Sequence, residues 1–176
     1  MRICIVIALF IACAVNAFSQ QLPSHARAQA IAESFSKNKH TIKEKYGVRV
    51  EKYKDVKSEP VVKQNIGDYS GTYEVPSLGF VITIQAGSDG RLEANGNENG
   101  RVFKLENAKV DGALLTASKV YMDGTTEKFE GVFLKRTDRN RPTDAGVTTF
   151  GLGVVLNAPV EQDGNTYDKL FYELRR

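Results

Sequence analysis

The sequence contains no tryptophan, two cysteines and two histidines, and where those few residues stand excludes several kinds of chemistry. Both cysteines, Cys4 and Cys13, lie inside an uncharged apolar run at 3–15. A chain cut behind that run has no thiol and no disulfide, so a packed core must hold it together. The histidines, His25 and His40, both precede the main body of the chain. Beyond them a Ser-His-Asp or Cys-His device has no general base, and a His-rich zinc site has no ligands. No Asn-x-Ser/Thr acceptor occurs. No Gly-rich phosphate loop leads into a helix, and Gly151-x-Gly153 sits in a strand pattern where it marks close packing or a bend. The acidic residues of the body read as strand-edge and turn charges. No enzyme activity, catalytic residue, metal or cofactor is expected.

Long apolar runs are scarce as well. The run at 3–15 is shorter than the roughly 20 residues a membrane span needs. It follows Met1-Arg2 and ends in Val15-Asn16-Ala17, a small-x-small pattern. Residues 1–19 therefore read as a secretory signal peptide cleaved after Ala17 or Ser19, which places the protein outside the cell or in the periplasm.

What is present divides in two by charge. Residues 20–66 carry ten basic and five acidic residues, whereas 67–176 carry thirteen and sixteen. The first segment reads as a helical arm and linker. Ser24 suits an N-cap and Gly47 a C′ position, so one helix is expected over 25–46. Ala28, Ile31, Phe35, Ile42 and Tyr46 form its apolar stripe, interrupted by Asn38. The stripe predicts docking on the body, with the lysines toward solvent; contact with a membrane through 25–46 is the lesser reading. Residues 48–66 read as an extended linker with at most one short strand, 48–53. The arm has no interleaved surface aromatics and the body is acidic, so no nucleic-acid partner is expected.

The second segment, 67–176, alternates apolar and polar residues between turn signals. Phe129-Glu130-Gly131-Val132-Phe133-Leu134 shows the pattern, and Asp123-Gly124 and Asp163-Gly164 mark tight hairpins. Eight strands are expected, over 69–75, 80–85, 91–95, 101–106, 113–121, 127–136, 148–157 and 166–175, with the longest loop at 137–146. Eight antiparallel strands joined by short turns suit an up-and-down closed barrel, which has no exposed edge. Asn95-x-Asn97-x-Asn99-Gly100 followed by Glu106 has calcium-loop spacing, but Glu106 alone is charged among the ligating positions and no helices flank it. Turn formers in a hairpin account for the same residues.

Ile66-Gly67-Asp68-Tyr69-Ser70-Gly71-Thr72-Tyr73 resembles the opening of lipocalin-like (calycin) barrels, with Gly71-x-Tyr73 where those barrels carry Gly-x-Trp. In that family this residue packs near a basic residue of the last strand, and here the chain ends Leu174-Arg175-Arg176. Leu115-Thr116-Ala117, Asp123-Gly124 and Phe129-x-Gly131-x-Phe133 also resemble the small barrels appended to secreted bacterial serine hydrolases. The resemblance implies ligand binding or accessory support. Inward aromatics Tyr73, Phe80, Phe129, Phe133 and Tyr172 are the candidate lining for a small amphipathic or hydrophobic ligand. Arg136, Arg139 and Arg141 are a candidate cluster for its anionic head at a barrel mouth. The alternative is an accessory or inhibitory protein acting on an envelope or secreted partner.

Overall fold

The computed structural model describes residues 23–45, 48–87 and 91–175. The expected signal peptide, Gly47 and Arg176 lie outside the described residues. No helix among the described residues is long and apolar enough to cross a membrane.

Eight antiparallel strands close into a barrel: β3 (Gly71–Val75), β4 (Phe80–Ala86), β5 (Leu92–Glu98), β6 (Arg101–Asp111), β7 (Leu114–Tyr121), β8 (Thr126–Arg139), β9 (Val147–Gln162) and β10 (Asn165–Arg175). Each pairs with the next in sequence, and β10 returns to β3. All eight expected strands are present, most of them longer than their sequence pattern. β8 overruns the expected loop at 137–146 because Lys135 to Asp138 keep their ladder to Phe150, Thr149, Thr148 and Val147. Asp163 and Gly164 form a tight hairpin turn as read, with φ of 51° and 73°, and Asn99 and Gly100 form another with 52° and 80°; at Asp123-Gly124 only Gly124 has a positive φ, 84°, and the connection is the longer 122–125. Two successive positive φ angles give the tight turn whose twist matches the flanking strands.

Alternation sends one face of each strand inward. Phe80, Ile82 and Ile84 of β4, Phe103 and Leu105 of β6, Leu152 and Val154 of β9, and Leu170 and Tyr172 of β10 meet in one core. Each such side chain contributes about 1.5–3 kcal/mol by leaving water. Gly96 lets the Phe103 ring lie across its strand, since a Cβ there would come within 2.4 Å of that ring and of the Val81 carbonyl oxygen.

One end of the barrel is shut by a 3-10 turn, Ile66–Tyr69. The Tyr69 ring stacks on Phe133 at 4.2 Å between centroids. Its hydroxyl donates to the Gly112 carbonyl at 2.7 Å and accepts the Lys63 amide at 2.8 Å, while the Tyr73 hydroxyl donates to the Tyr69 carbonyl at 2.6 Å. Burial, with the neighbouring Tyr69 adding to it, holds the Tyr73 phenol above its usual range. Tyr69→Phe strips partners from two backbone groups and is expected to cost about 1–3 kcal/mol in urea unfolding; a change below about 0.5 kcal/mol would show that water replaces the hydroxyl freely. Among the described residues, the expected packing of a basic residue of the last strand on Tyr73 is not formed. Leu174 stands opposite Tyr73 and closes over Gly71, whereas Arg175 pairs with Glu74 at 2.5 Å on the other face.

The arm differs most from its sequence reading. The helix α1 spans only Ser24–Ser34, and after Phe35 the chain enters β1 (Lys37–Lys45), which pairs with β2 (Val48–Pro60). The expected helix of 25–46 and linker of 48–66 are thus replaced by a short helix and a hairpin. Asn38, the break in the stripe, begins a run of poor helix formers that includes His40 and Thr41. β2 finds a ready edge where β8 runs past the end of β7, pairing Asp55 with Arg139 through Pro60 with Leu134. Ser24 is not the N-cap; its hydroxyl donates to the Asp111 carboxylate at 2.5 Å. The predicted docking does occur, on the outer wall. Ala28, Ile31 and Ala32 pack on Ala113, Leu114, Val132 and Leu134, with Phe35 and Phe171 alongside. Ile42 lies in β1 and does not extend the helical stripe, and Tyr46 lies outside the described residues.

Candidate functional site

The end opposite Tyr69 is open. There the start of β4, the turn after β5, the end of β7, the start of β8 and residues 156–160 of β9 surround a cavity of about 450 Å³. The same alternation that fills the core delivers charge to this level. Glu98 follows Leu92, Ala94 and Gly96 on the inward face of β5, and Lys119 follows Leu115 and Ala117 on β7. Arg101 opens β6 and Tyr121 ends β7.

Glu98 and Lys119 form an ion pair whose side chains are 11% and 6% exposed. The Tyr172 hydroxyl donates to Glu98 Oε1, and Lys119 Nζ and the Tyr121 hydroxyl donate to Oε2. The Lys119 ammonium also sits 4.5 Å from the Phe103 ring centre and 4.9 Å from that of Tyr121. Burial, reinforced by the Glu98 charge, pushes the Tyr172 phenol far above its usual range, so it serves as a hydrogen-bond donor at any working pH. Burial likewise raises the Tyr121 phenol, with Lys119 opposing. Arg101 lies 3.8 Å over the Tyr121 ring and reaches Asp123 at 3.1 Å.

The opposite wall is apolar and loosely tied. Pairing of β8 with β9 stops at Gly131 and Val154, and between Val155 and Val160 the β9 chain bulges against a single residue of β10, Asp168. The bulged residues Leu156, Asn157, Ala158 and Pro159 line the cavity with Val160. Asn157 pins the bulge by donating from Nδ2 to the Lys128 carbonyl at 2.8 Å.

The candidate lining from sequence is brought together only in part. Phe80 lines the cavity, and Tyr172 lies beneath it as a donor to Glu98. Phe129 is packed into the filled core, and Tyr73 and Phe133 face a small crevice of about 140 Å³ at the shut end. The arginines do not cluster at a mouth. Arg136 is bound to Asp138 at 3.0 and 3.1 Å and stacks over Phe171 on the outer wall, and Arg139, three residues on, falls on the other face of β8. Arg141 is exposed beyond the strand. Asn95 and Asn97 belong to β5, and Asn97 Oδ1 accepts the Gly100 amide of the hairpin turn. No group of three or more metal-ligating side chains occurs among the described residues. Sequence reasoning missed Glu98, Arg101, Lys119 and Tyr121, although each is in phase with apolar inward neighbours, and a lysine or glutamate at an inward place is the available signal.

No family model matches the chain, and no curated protein or solved structure matches it either.

Proposed function

We propose that the protein is a non-catalytic binding barrel, secreted or periplasmic, that takes a small amphipathic ligand into its open mouth. The observation that carries this reading is the cavity of about 450 Å³ with a buried Glu98–Lys119 pair on one side and the apolar bulge of β9 on the other. Ligand sites are concave, mostly apolar and supplied with a few fixed polar groups, and about 300–1,000 Å³ is their usual size. A structural ion pair has no need of such a space beside it. The architecture supports the reading too: a closed eight-stranded barrel with one end shut and the other open is the plan of lipocalin-like carriers, whose resemblance the sequence carries at Gly71-x-Tyr73. The accessory-protein alternative draws little from the surface. Val62, Val102, Met122, Val147 and Val155 are the large apolar side chains most exposed among the described residues, and only Val102 and Met122 are joined there by a backbone hydrogen bond, across β6 and the turn after β7.

The test is titration with N-phenylnaphthylamine, an uncharged dye that brightens in apolar sites. Saturable one-to-one enhancement is expected, and Ala158→Trp, which fills the cavity from the bulge, should abolish it while the circular dichroism stays that of a folded β protein. Absence of enhancement in the wild type, or binding undiminished in the folded Ala158→Trp variant, would overturn the reading.

A further inference from the structure

The hydrogen bonds at the floor of the mouth leave one group with capacity to spare. Glu98 accepts from Tyr172 on one oxygen and from Lys119 and Tyr121 on the other, so its carboxylate is engaged on both sides. Lys119 is different. An ammonium has three N–H donors, and the acceptors within its reach among the described residues are Glu98 and the Tyr121 hydroxyl. That leaves one donor to spare, on an ammonium set beside the Phe103 and Tyr121 rings in the lining of the cavity.

Charge decides what the spare donor can take. Lys119 is neutralised by Glu98, Arg101 is drawn to Asp123 and sits over the Tyr121 ring, and Glu127 adds a further negative charge to the lining. Two acids and two bases therefore line the cavity, and Asp123 outside the lining engages Arg101. A ligand carboxylate would bring a third negative charge to the lining, next to a lysine already paired, and a ligand ammonium would have to lie against that same lysine; like charges placed together in a desolvated site are costly. An uncharged acceptor meets neither penalty. The carbonyl oxygen of a ketone, amide or ester can accept from Lys119 Nζ while the rest of the molecule lies on Phe80, Leu156 and Val160.

We infer that the mouth selects an uncharged, largely apolar ligand carrying a carbonyl-type acceptor, with Lys119 as the residue that sets this preference over the carboxylate and the amine of the same skeleton. The inference rests on the reading of the mouth as a binding site. It is tested with three naphthalenes that differ at one position: a dialkylaminonaphthyl ketone, the naphthoate with a carboxylate in place of the ketone, and the corresponding aminomethyl compound. At neutral pH the ketone should bind about tenfold tighter than either charged analogue, the scale of one hydrogen bond to a charged donor. Its emission should also shift as the carbonyl leaves water. In the double variant Glu98→Gln, Lys119→Met, which removes both buried charges together, the ketone's affinity relative to N-phenylnaphthylamine should fall about tenfold. If the carboxylate binds as tightly as the ketone, or if the ketone's relative affinity is unmoved in a folded double variant, the inference falls and the cavity reading stands. If neither the naphthalenes nor the dye binds the wild type, both fall. The ligand series on the wild type decides the matter even where the double variant does not fold.

Discussion

Glu98→Ala is expected to lower the unfolding free energy by about 3–5 kcal/mol, the usual cost of leaving one member of a buried ion pair alone. The loss comes from Lys119 rather than from the glutamate. With its side chain 6% exposed and Glu98 the charged partner it is paired with, the ammonium would be left among the Phe103 and Tyr121 rings without a counter-charge. The Tyr172 hydroxyl, buried beneath, would lose its acceptor as well. The double variant Glu98→Gln, Lys119→Met is expected to recover most of the loss, because an apolar side chain of similar length replaces the stranded charge; pairs of this kind are often no more stabilising than well-packed neutral residues. Urea unfolding followed by far-ultraviolet circular dichroism measures both. A single-variant loss under about 1 kcal/mol would mean that water reaches Lys119 freely and that the mouth is wetter than its geometry. The comparison separates roles: a pair that adds little stability yet sits beside a cavity is better explained by what the cavity takes in.

That pair also marks where the sequence was readable and where it was not. Strand positions follow from alternation and turn chemistry, both local, so the eight strands could be placed from residues within a few places of one another. Asp163-Gly164 and Asn99-Gly100 needed no distant partner to be turns. The arm was a different problem. Its helix and its hairpin compete over 35–46, and β2 is decided by the unpaired edge that β8 offers beyond the end of β7, some eighty residues away in sequence. Nothing near Val48 announces that edge. The site was legible in principle and misread in practice: inward aromatics signal a barrel interior, but an interior this narrow is filled by them. Phe129 and Phe133 are core for that reason, and the cavity opens one layer further out, where inward places carry Glu98, Lys119 and Arg101 instead. The arginines of 136–141 were grouped by closeness in sequence. Strand parity, with β8 running to Arg139, puts Arg136 and Arg139 on opposite faces.

Ile31→Ala is expected to cost about 2–5 kcal/mol, the range for an isoleucine truncated in a close-packed setting, and to loosen α1 from the wall before the barrel itself unfolds. Ile31 is 5% exposed and Ala32 wholly buried, so the helix is seated by a few small and branched side chains against Leu114, Val132 and Leu134. The seat is narrow. An eleven-residue helix is marginal alone, and most of its stability must come from this contact. Two polar ties hold its ends: Arg27 grips Glu130 at 2.6 Å, and Lys169 Nζ donates to the Ser34 carbonyl at 2.6 Å, placing a cation at the negative end of the helix dipole. Hydrogen bonding and then charge from Arg27 hold the Glu130 carboxyl below its usual 4.5, with burial opposing. A lowered folded-state pKa means that this tie is fully present above about pH 4.5 and is lost as the pH falls through the lowered value. Arg27 is half exposed, so its share is small beside that of Ile31. Limited proteolysis across pH reads both effects at once. The wild type should resist cleavage in the segment 23–36 at neutral pH and become more sensitive in acid, and Ile31→Ala should be cut there at neutral pH while the barrel fragment survives. Rapid cleavage of the wild-type helix at neutral pH, with no change in the melting temperature of what remains, would show that the helix rests on the wall without being held by it, and would make the patch beneath, Leu114, Val132, Leu134 and Phe171, a surface awaiting another occupant.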